Sequence, residues 1–316
     1  MKFGNFRSIR LMGSVMLAIF AGGHMKASIA NGAFAQNGKT KAQDSRPSAP
    51  LPAEPPAKNA VVFSRHQGFI PSVAFSPDGK RLASAGDSSV KVTDLETGKE
   101  LLKLKNTRGM HFFSVAYSPD GRTLVGAQSM RKEKSIRRTG DTTITTLVYY
   151  GEVLVWDAQT GQVKTRLNDD NGAAWALAFS PDGKWLAIAT GPTTEDKDCK
   201  NDCPAFGEIT LWETGDWKLI RRLRASSAAI RAIAFSPDGQ LIAGGSSLID
   251  GGRGVSVEEE SRFEVFLWDA QSGDLKQKLP GHIKSITSLA FSPDSRLLAS
   301  AGGDRNLRYG IAAHMN

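Results

Sequence analysis

The sequence predicts an all-β protein made of about five copies of one four-stranded antiparallel unit. Three observations carry this. The stretch "VAFSPDGKRLASAG" (Val73 to Gly86) returns as "VAYSPDGRTLVGAQ", "LAFSPDGKWLAIAT", "IAFSPDGQLIAGGS" and "LAFSPDSRLLASAG". The prolines of the five copies fall at 77, 119, 181, 237 and 293, the spacing of a modular array. Behind each of the first four copies comes another β-rich run that ends in a second turn, as in "VLVWDAQTGQ" and "VFLWDAQSGD".

Each copy reads as strand, tight turn, strand. In Ser76-Pro77-Asp78-Gly79 the proline presets φ, Asp suits the next turn position and Gly supplies the left-handed residue. Ser295 replaces that Gly in the fifth copy, which predicts a strained version of the same hairpin. Alternation puts Val73 and Phe75 on one face of the first strand and Ala74 on the other, and the later copies repeat this. One bulky and one small apolar face suit a strand packed between two sheets, and the alanines let neighbouring sheets approach closely. The run after the hairpin supplies a third strand, and "KELLKLK" or "DLKQKLP" a fourth, outer one.

The recurring Trp-Asp at the end of the third strand makes these units resemble the WD-repeat (tryptophan-aspartate) family of β-propellers, over roughly Ala60 to Ile311. The resemblance implies blades near 66–104, 111–167, 174–223, 229–279 and 285–311. It also implies a hydrogen-bonded network joining a His before the first strand, a Ser or Thr in the second, an Asp in the turn before the third and the Trp. His66, Ser84 and Asp87 match three elements in the first copy, where Thr93-Asp94 stands for Trp-Asp. His282, Ser300 and Asp304 match in the fifth, where "NLRYGI" replaces the Trp-Asp strand; the middle copies keep Trp156, Trp212 and Trp268, with only His111 near the family position. The fifth copy lacks a fourth strand, which Val61 to Phe63 can supply in a closed five-blade ring. The other reading is an incomplete ring.

Ahead of the repeats, a basic stretch through Arg10, the apolar run Leu11 to Gly23 and Ala33-Phe34-Ala35 read as a secretory signal peptide over residues 1–35. The apolar run is short for a membrane span. Residues 36–59, rich in Pro, Ala, Lys and Ser, read as a disordered linker, leaving 60–316 for the propeller. "AFAQNGKT" loosely matches a phosphate-binding loop but lacks the flanking strand and helix. The formal charge is +8, of which Lys2, Arg7, Arg10 and Lys26 account for four; the remaining +4 is too mild to indicate nucleic acid.

The longer intervals place extra residues between the second and third strands of three adjacent blades, at 129–150, 191–206 and 247–262. The resemblance puts these segments on one face of the ring, where binding residues are expected. In the first, residues 131–138 group Arg131, Lys132, Lys134, Arg137 and Arg138 against one acid, Glu133, and Tyr149 and Tyr150 follow at its end. That composition suits an acidic protein or polysaccharide. The second holds the only cysteines, Cys199 and Cys203, read as a local disulfide in an exported protein; Asp196, Asp198 and Asp202 lack the spacing of a calcium loop. The third pairs a Gly-rich stretch with Glu258, Glu259 and Glu260 and reads as solvated.

No nucleophile elbow, His-rich metal cluster or cofactor motif is present in the sequence. The function expected is an exported, non-catalytic scaffold, a monomer or complex subunit that binds a protein partner. The alternatives are a propeller hydrolase or lyase acting on an acidic glycan, and a truncated propeller remnant.

Overall fold

The computed structural model describes residues 9–10, 15–19, 26–30, 66–86, 88–106, 109–139, 142–167, 172–191, 207–224, 229–247 and 263–312. The linker at 36–59, the closing segment at 60–63, Asp87, Cys199 and Cys203 lie outside them.

The described residues form strands and turns with no helix. Strands β1 (Ile9–Arg10), β2 (Val15–Ile19) and β3 (Lys26–Ala30) precede the repeats. Blade 1 comprises β4 (Ser72–Phe75), β5 (Arg81–Ala85), β6 (Ser89–Asp94) and β7 (Glu100–Lys105). Blade 2 comprises β8 (His111–Tyr117), β9 (Thr123–Thr139), β10 (Thr142–Asp157) and β11 (Val163–Leu167). Blade 3 is β12 (Ala174–Phe179), β13 (Trp185–Thr190), β14 (Glu208–Glu213) and β15 (Leu219–Arg224). Blade 4 is β16 (Ala229–Phe235), β17 (Leu241–Ser247), β18 (Phe263–Asp269) and β19 (Leu275–His282). Blade 5 holds β20 (Ile286–Phe291), β21 (Leu297–Gly302) and β22 (Asn306–Ile311). Each blade is an antiparallel meander, and β1 pairs with the outer edge of β22 at Asn306 and Leu307.

The Ser-Pro-Asp-Gly turn explains why one motif recurs. Ser76 Oγ donates to Asp78 Oδ1 at 2.6 Å and accepts from Arg81 N at 2.9 Å, while Asp78 Oδ1 accepts from Lys80 N at 3.0 Å. The same Ser-to-Asp bond closes the turns at Ser118, Ser180, Ser236 and Ser292. Each turn glycine is left-handed, at φ +70° for Gly79, and Ser295 adopts φ +61° in its place. Its strain is offset by a bond from Asp238 N to Ser295 Oγ at 3.1 Å, which ties the turns of blades 4 and 5 together.

Adjacent blades pack face to face, and each of the four apolar clusters is one such seam. In the first, Ala83, Ala85, Val90 and Val92 of blade 1 meet Val115, Leu124 and Trp156 of blade 2. The small residues expected to admit a neighbour therefore do so. Gly126 and Gly244 lie under Trp156 and Trp268, and a Cβ there would come within 2.8 and 2.9 Å of the indoles.

Candidate functional site

Strand direction decides which end of each blade carries the added residues. The first strand begins where the second ends: His111 pairs with Ser129, Ala174 with Thr190 and Ala229 with Ser247. The segments between second and third strands therefore leave from the same edge at which the innermost strands start, and the Ser-Pro-Asp-Gly turns occupy the opposite edge.

In blade 2 the added residues lengthen β9 and β10 into a two-stranded arm, so residues 129–150 continue the sheet. Arg131 pairs with Tyr149, Lys132 with Val148, Arg137 with Ile144 and Arg138 with Thr143, with a register shift beside Leu147. All five basic residues fall on the β9 side, and Thr142 to Tyr150 carry no charge. Met130 pairs with Tyr150, whose side chain is exposed. The described strands flanking this sheet, β8 and β11, pair only with the base of the arm.

A second feature at this edge comes from a bulge repeated in four blades. The ladder between first and second strands skips one residue between Phe112 and Ser114, Ala174 and Ala176, Ile230 and Ala232, and Ile286 and Ser288. The skipped residues are Phe113, Trp175, Arg231 and Thr287, each six positions before the turn proline. A bulge re-aims the extra side chain, and is often found beside functional sites. Three of the four meet across blades: Phe113 packs edge-on against Trp175 at 4.8 Å and 73°, and the Arg231 guanidinium lies 4.3 Å from the Trp175 ring centroid. Gly191 makes room, since a Cβ there would lie 2.7 Å from the indole nitrogen.

A Glu lies in the third strand of the same three blades, four residues before each Trp: Glu152, Glu208 and Glu264. Glu152 is buried, accepts from Gln128 Nε2 at 2.7 Å and pairs with Arg166 at 3.2 Å. Glu208 is buried, pairs with Arg222 at 2.6 Å and lies 3.6 Å from Arg224. A carboxylate so placed needs its guanidinium, because removal from water is otherwise costly. These pairs anchor the third strand to the outer strand beneath the added segments.

The histidine positions lie elsewhere and serve packing. His282 Nε2 sits 2.8 Å from Ser300 Oγ, and Nδ1 3.0 Å from Asp304 Oδ2; Asp304 also accepts from the Ile283 and Asn306 amides. Burial pushes the His282 pKa below its usual value, outweighing the opposite pull of Asp304. The neutral imidazole then donates through Nδ1 to the carboxylate and accepts from Ser300 through Nε2. In blade 1, His66 Nε2 lies 2.8 Å from Ser84 Oγ. Gly86 and Gly302 leave space for the two rings, with a Cβ falling 2.1 and 2.8 Å from the respective Nδ1. At the Trp position of the third strand stand Thr93 in blade 1 and Gly310 in blade 5.

Among the described residues, no group of three or more His, Cys, Asp or Glu is arranged to hold a metal ion. Phe113, Trp175, Arg231 and the three glutamates escaped the sequence reading. Their signals were a fixed offset from the turn proline and the recurring Glu-x-x-x-Trp.

Four-stranded meanders stacked through alternating small and bulky faces define a β-propeller. Residues 58–94, 161–200, 217–251 and 273–309 match the family model "WD domain, G-beta repeat", and the chain belongs to the WD-repeat family. The stretches between the matches hold β7 to β10, β14 and β18. Similar proteins include WD repeat-containing protein SL1-17 of Schistosoma mansoni, 30% identical over 50% of this chain and 42% of its own. Protein HIR1 of Candida albicans is 27% identical over 75% and 22%, and human WD repeat and SOCS box-containing protein 1 is 27% identical over 74% and 47%. The chain thus spans less than half the length of each of these relatives. Among solved structures, hydrazine synthase of Kuenenia stuttgartiensis shares the fold, with TM-score 0.55 and 19% identity over 77% of this chain and 59% of its own.

Proposed function

We propose that this WD-repeat chain is an exported, non-catalytic scaffold that binds a protein partner across the edge of blades 2 to 4. WD-repeat proteins are typically interaction scaffolds. One observation carries the choice of surface. The three adjacent blades with added segments are also the three whose bulges join Phe113, Trp175 and Arg231 in one stack. Aromatic and Arg side chains held rigidly by a scaffold are the residue types that dominate binding energy at protein interfaces. The basic side of the arm selects an acidic partner and speeds encounter, and the signal-peptide pattern of residues 1–35 is what supports the exported reading.

The test is recovery of partners from the exporting cell on tagged wild type and on two variants, Arg137→Ala/Arg138→Ala and Trp175→Ala. A partner retained by wild type and lost by both supports this surface. Equal retention by all three removes it.

A further inference from the structure

A strand that ends a sheet exposes unpaired N–H and C=O groups, and proteins guard such edges with charge, above all with Lys. The blades keep this rule along their outer wall: β7, β11, β15 and β19 each end a sheet and carry Lys103 and Lys105, Lys164 and Arg166, Arg222 and Arg224, and Lys276 and Lys278. The arm keeps it on one side only. Above its base it is two strands wide among the described strands, with β9 on the side of innermost β8 and β10 on the side of outer β11. The β9 edge holds the five basic residues of 131–138. The β10 edge at 142–148 reads Thr-Thr-Ile-Thr-Thr-Leu-Val, six β-branched residues of seven and no charge. High β-propensity without charge or proline is the composition that invites another strand.

We propose that this edge pairs with the same edge of a second copy, antiparallel about Thr145, so that two arms make one four-stranded sheet. Thr142 then stands opposite Val148 of the second copy, Thr143 opposite Leu147 and Ile144 opposite Thr146, the β-branched and apolar pairings that favour a ladder. The two-fold arrangement needs no charge, which this edge lacks. It sets the basic β9 strands at the two ends of the sheet, three strand spacings or roughly 14 Å apart, beyond the screening length of about 8 Å at physiological salt. Those ends are guarded, so the sheet closes at two copies. The chain offers this edge no suitable strand of its own. Residues 168–171 are too few, because Gly172 and Ala174 already lie against Gly151 at the base of the arm. Residues 36–59 hold five prolines, 192–206 two prolines and six charges, and 248–262 three glycines and six charges, compositions that strands avoid. The apolar run at 61–63 covers three positions of the seven. The pairing uses neither the β9 side nor the stack of Phe113, Trp175 and Arg231, and does not rest on the partner-binding reading.

Sedimentation equilibrium of the full chain tests this beside Ile144→Lys/Thr146→Lys, which sets like charges opposite one another across the two-fold axis. Wild type should be a dimer, and the double variant should keep the wild-type circular dichroism while its dissociation constant rises about tenfold or more. Mild oxidation gives a second readout that does not depend on weakening the pair. Thr145→Cys should form a covalent dimer, because position 145 meets itself at the axis. Thr142→Cys, which meets Val148, should not, with wild type as the control for Cys199 and Cys203. A monomeric wild type, which leaves the edge to a strand of another protein or of this chain, would overturn the proposal. So would a lysine variant that dimerises like wild type, or Thr142→Cys cross-linking as readily as Thr145→Cys.

Discussion

The Arg231 guanidinium lies 4.3 Å from the centroid of the Trp175 ring, and the two residues come from neighbouring blades, each displaced by the same bulge. Their contact joins blades 3 and 4 at the edge where the added segments emerge. A cation over an indole face contributes about 0.5–2 kcal/mol, depending on how dry it is. A double-mutant cycle on Trp175→Leu and Arg231→Met should give a coupling energy of about 1 kcal/mol in thermal or urea unfolding. Additive single effects would show that the rings and the guanidinium are neighbours without interaction.

Gly302 stands against the imidazole of His282 with no room for a Cβ, which would fall 2.8 Å from Nδ1. Gly302→Ala should therefore destabilise the fold by about 2 kcal/mol through overpacking. Ser300→Ala, which removes the partner of Nε2, should cost about 1 kcal/mol. Denaturant midpoints measured at neutral pH check both values, and a neutral Gly302→Ala would mean the histidine is free to move.

Acid should weaken the protein in two stages. Burial lowers the His282 pKa from its usual 6.5, so the unfolded chain binds more protons in the window just below 6.5. The stability carried by the neutral ring is present above 6.5 and is lost as pH falls through the lower folded value. The turn carboxylates Asp78, Asp120 and Asp294 are held below their usual 3.8, first by bonds from Ser76, Ser118 and Ser292. Their contribution is present above 3.8 and is lost as pH falls further. Urea midpoints from pH 8 to 2 should show both stages, and His282→Asn should remove the earlier one. A midpoint that rises between pH 7 and 5 would contradict the neutral assignment.

Arg222 is the nearest partner of the buried Glu208 carboxylate, at 2.6 Å. Arg222→Met keeps the aliphatic stem and removes the charge at 2.6 Å, while Arg224 stands at 3.6 Å. The expected loss is about 2 kcal/mol, measured by chemical unfolding. Glu208→Gln combined with Arg222→Met should recover part of it, since no charge is then left buried.

Much of the fold was legible because its signals are local. Ser-Pro-Asp-Gly closes a turn with bonds inside six residues, from Ser76 to Arg81, so each copy announces itself in sequence. The alternation of Ala116 with Val115 and Tyr117 likewise reported a strand between two sheets. The candidate site was less legible because it depends on register between strands. Phe113, Trp175 and Arg231 lie 62 and 56 residues apart in sequence, and only the bulges of three separate blades bring them together. The arm was half visible: its charges could be read directly, whereas the pairing that sorts every basic residue onto β9 required the partner strand. Asp87, Cys199 and Cys203 fall outside the described residues, so the blade 1 network is seen only through His66 and Ser84.

The central claim is that a partner binds the edge of blades 2 to 4, and site-specific photo-crosslinking in the native cell tests it most directly. One probe replaces exposed Tyr150 at the base of the arm, and another replaces exposed Glu96 in the second turn at the opposite edge of blade 1. The account predicts a discrete protein adduct from position 150, abolished by Trp175→Ala, and none from position 96. An adduct from position 96 with none from position 150 would contradict it.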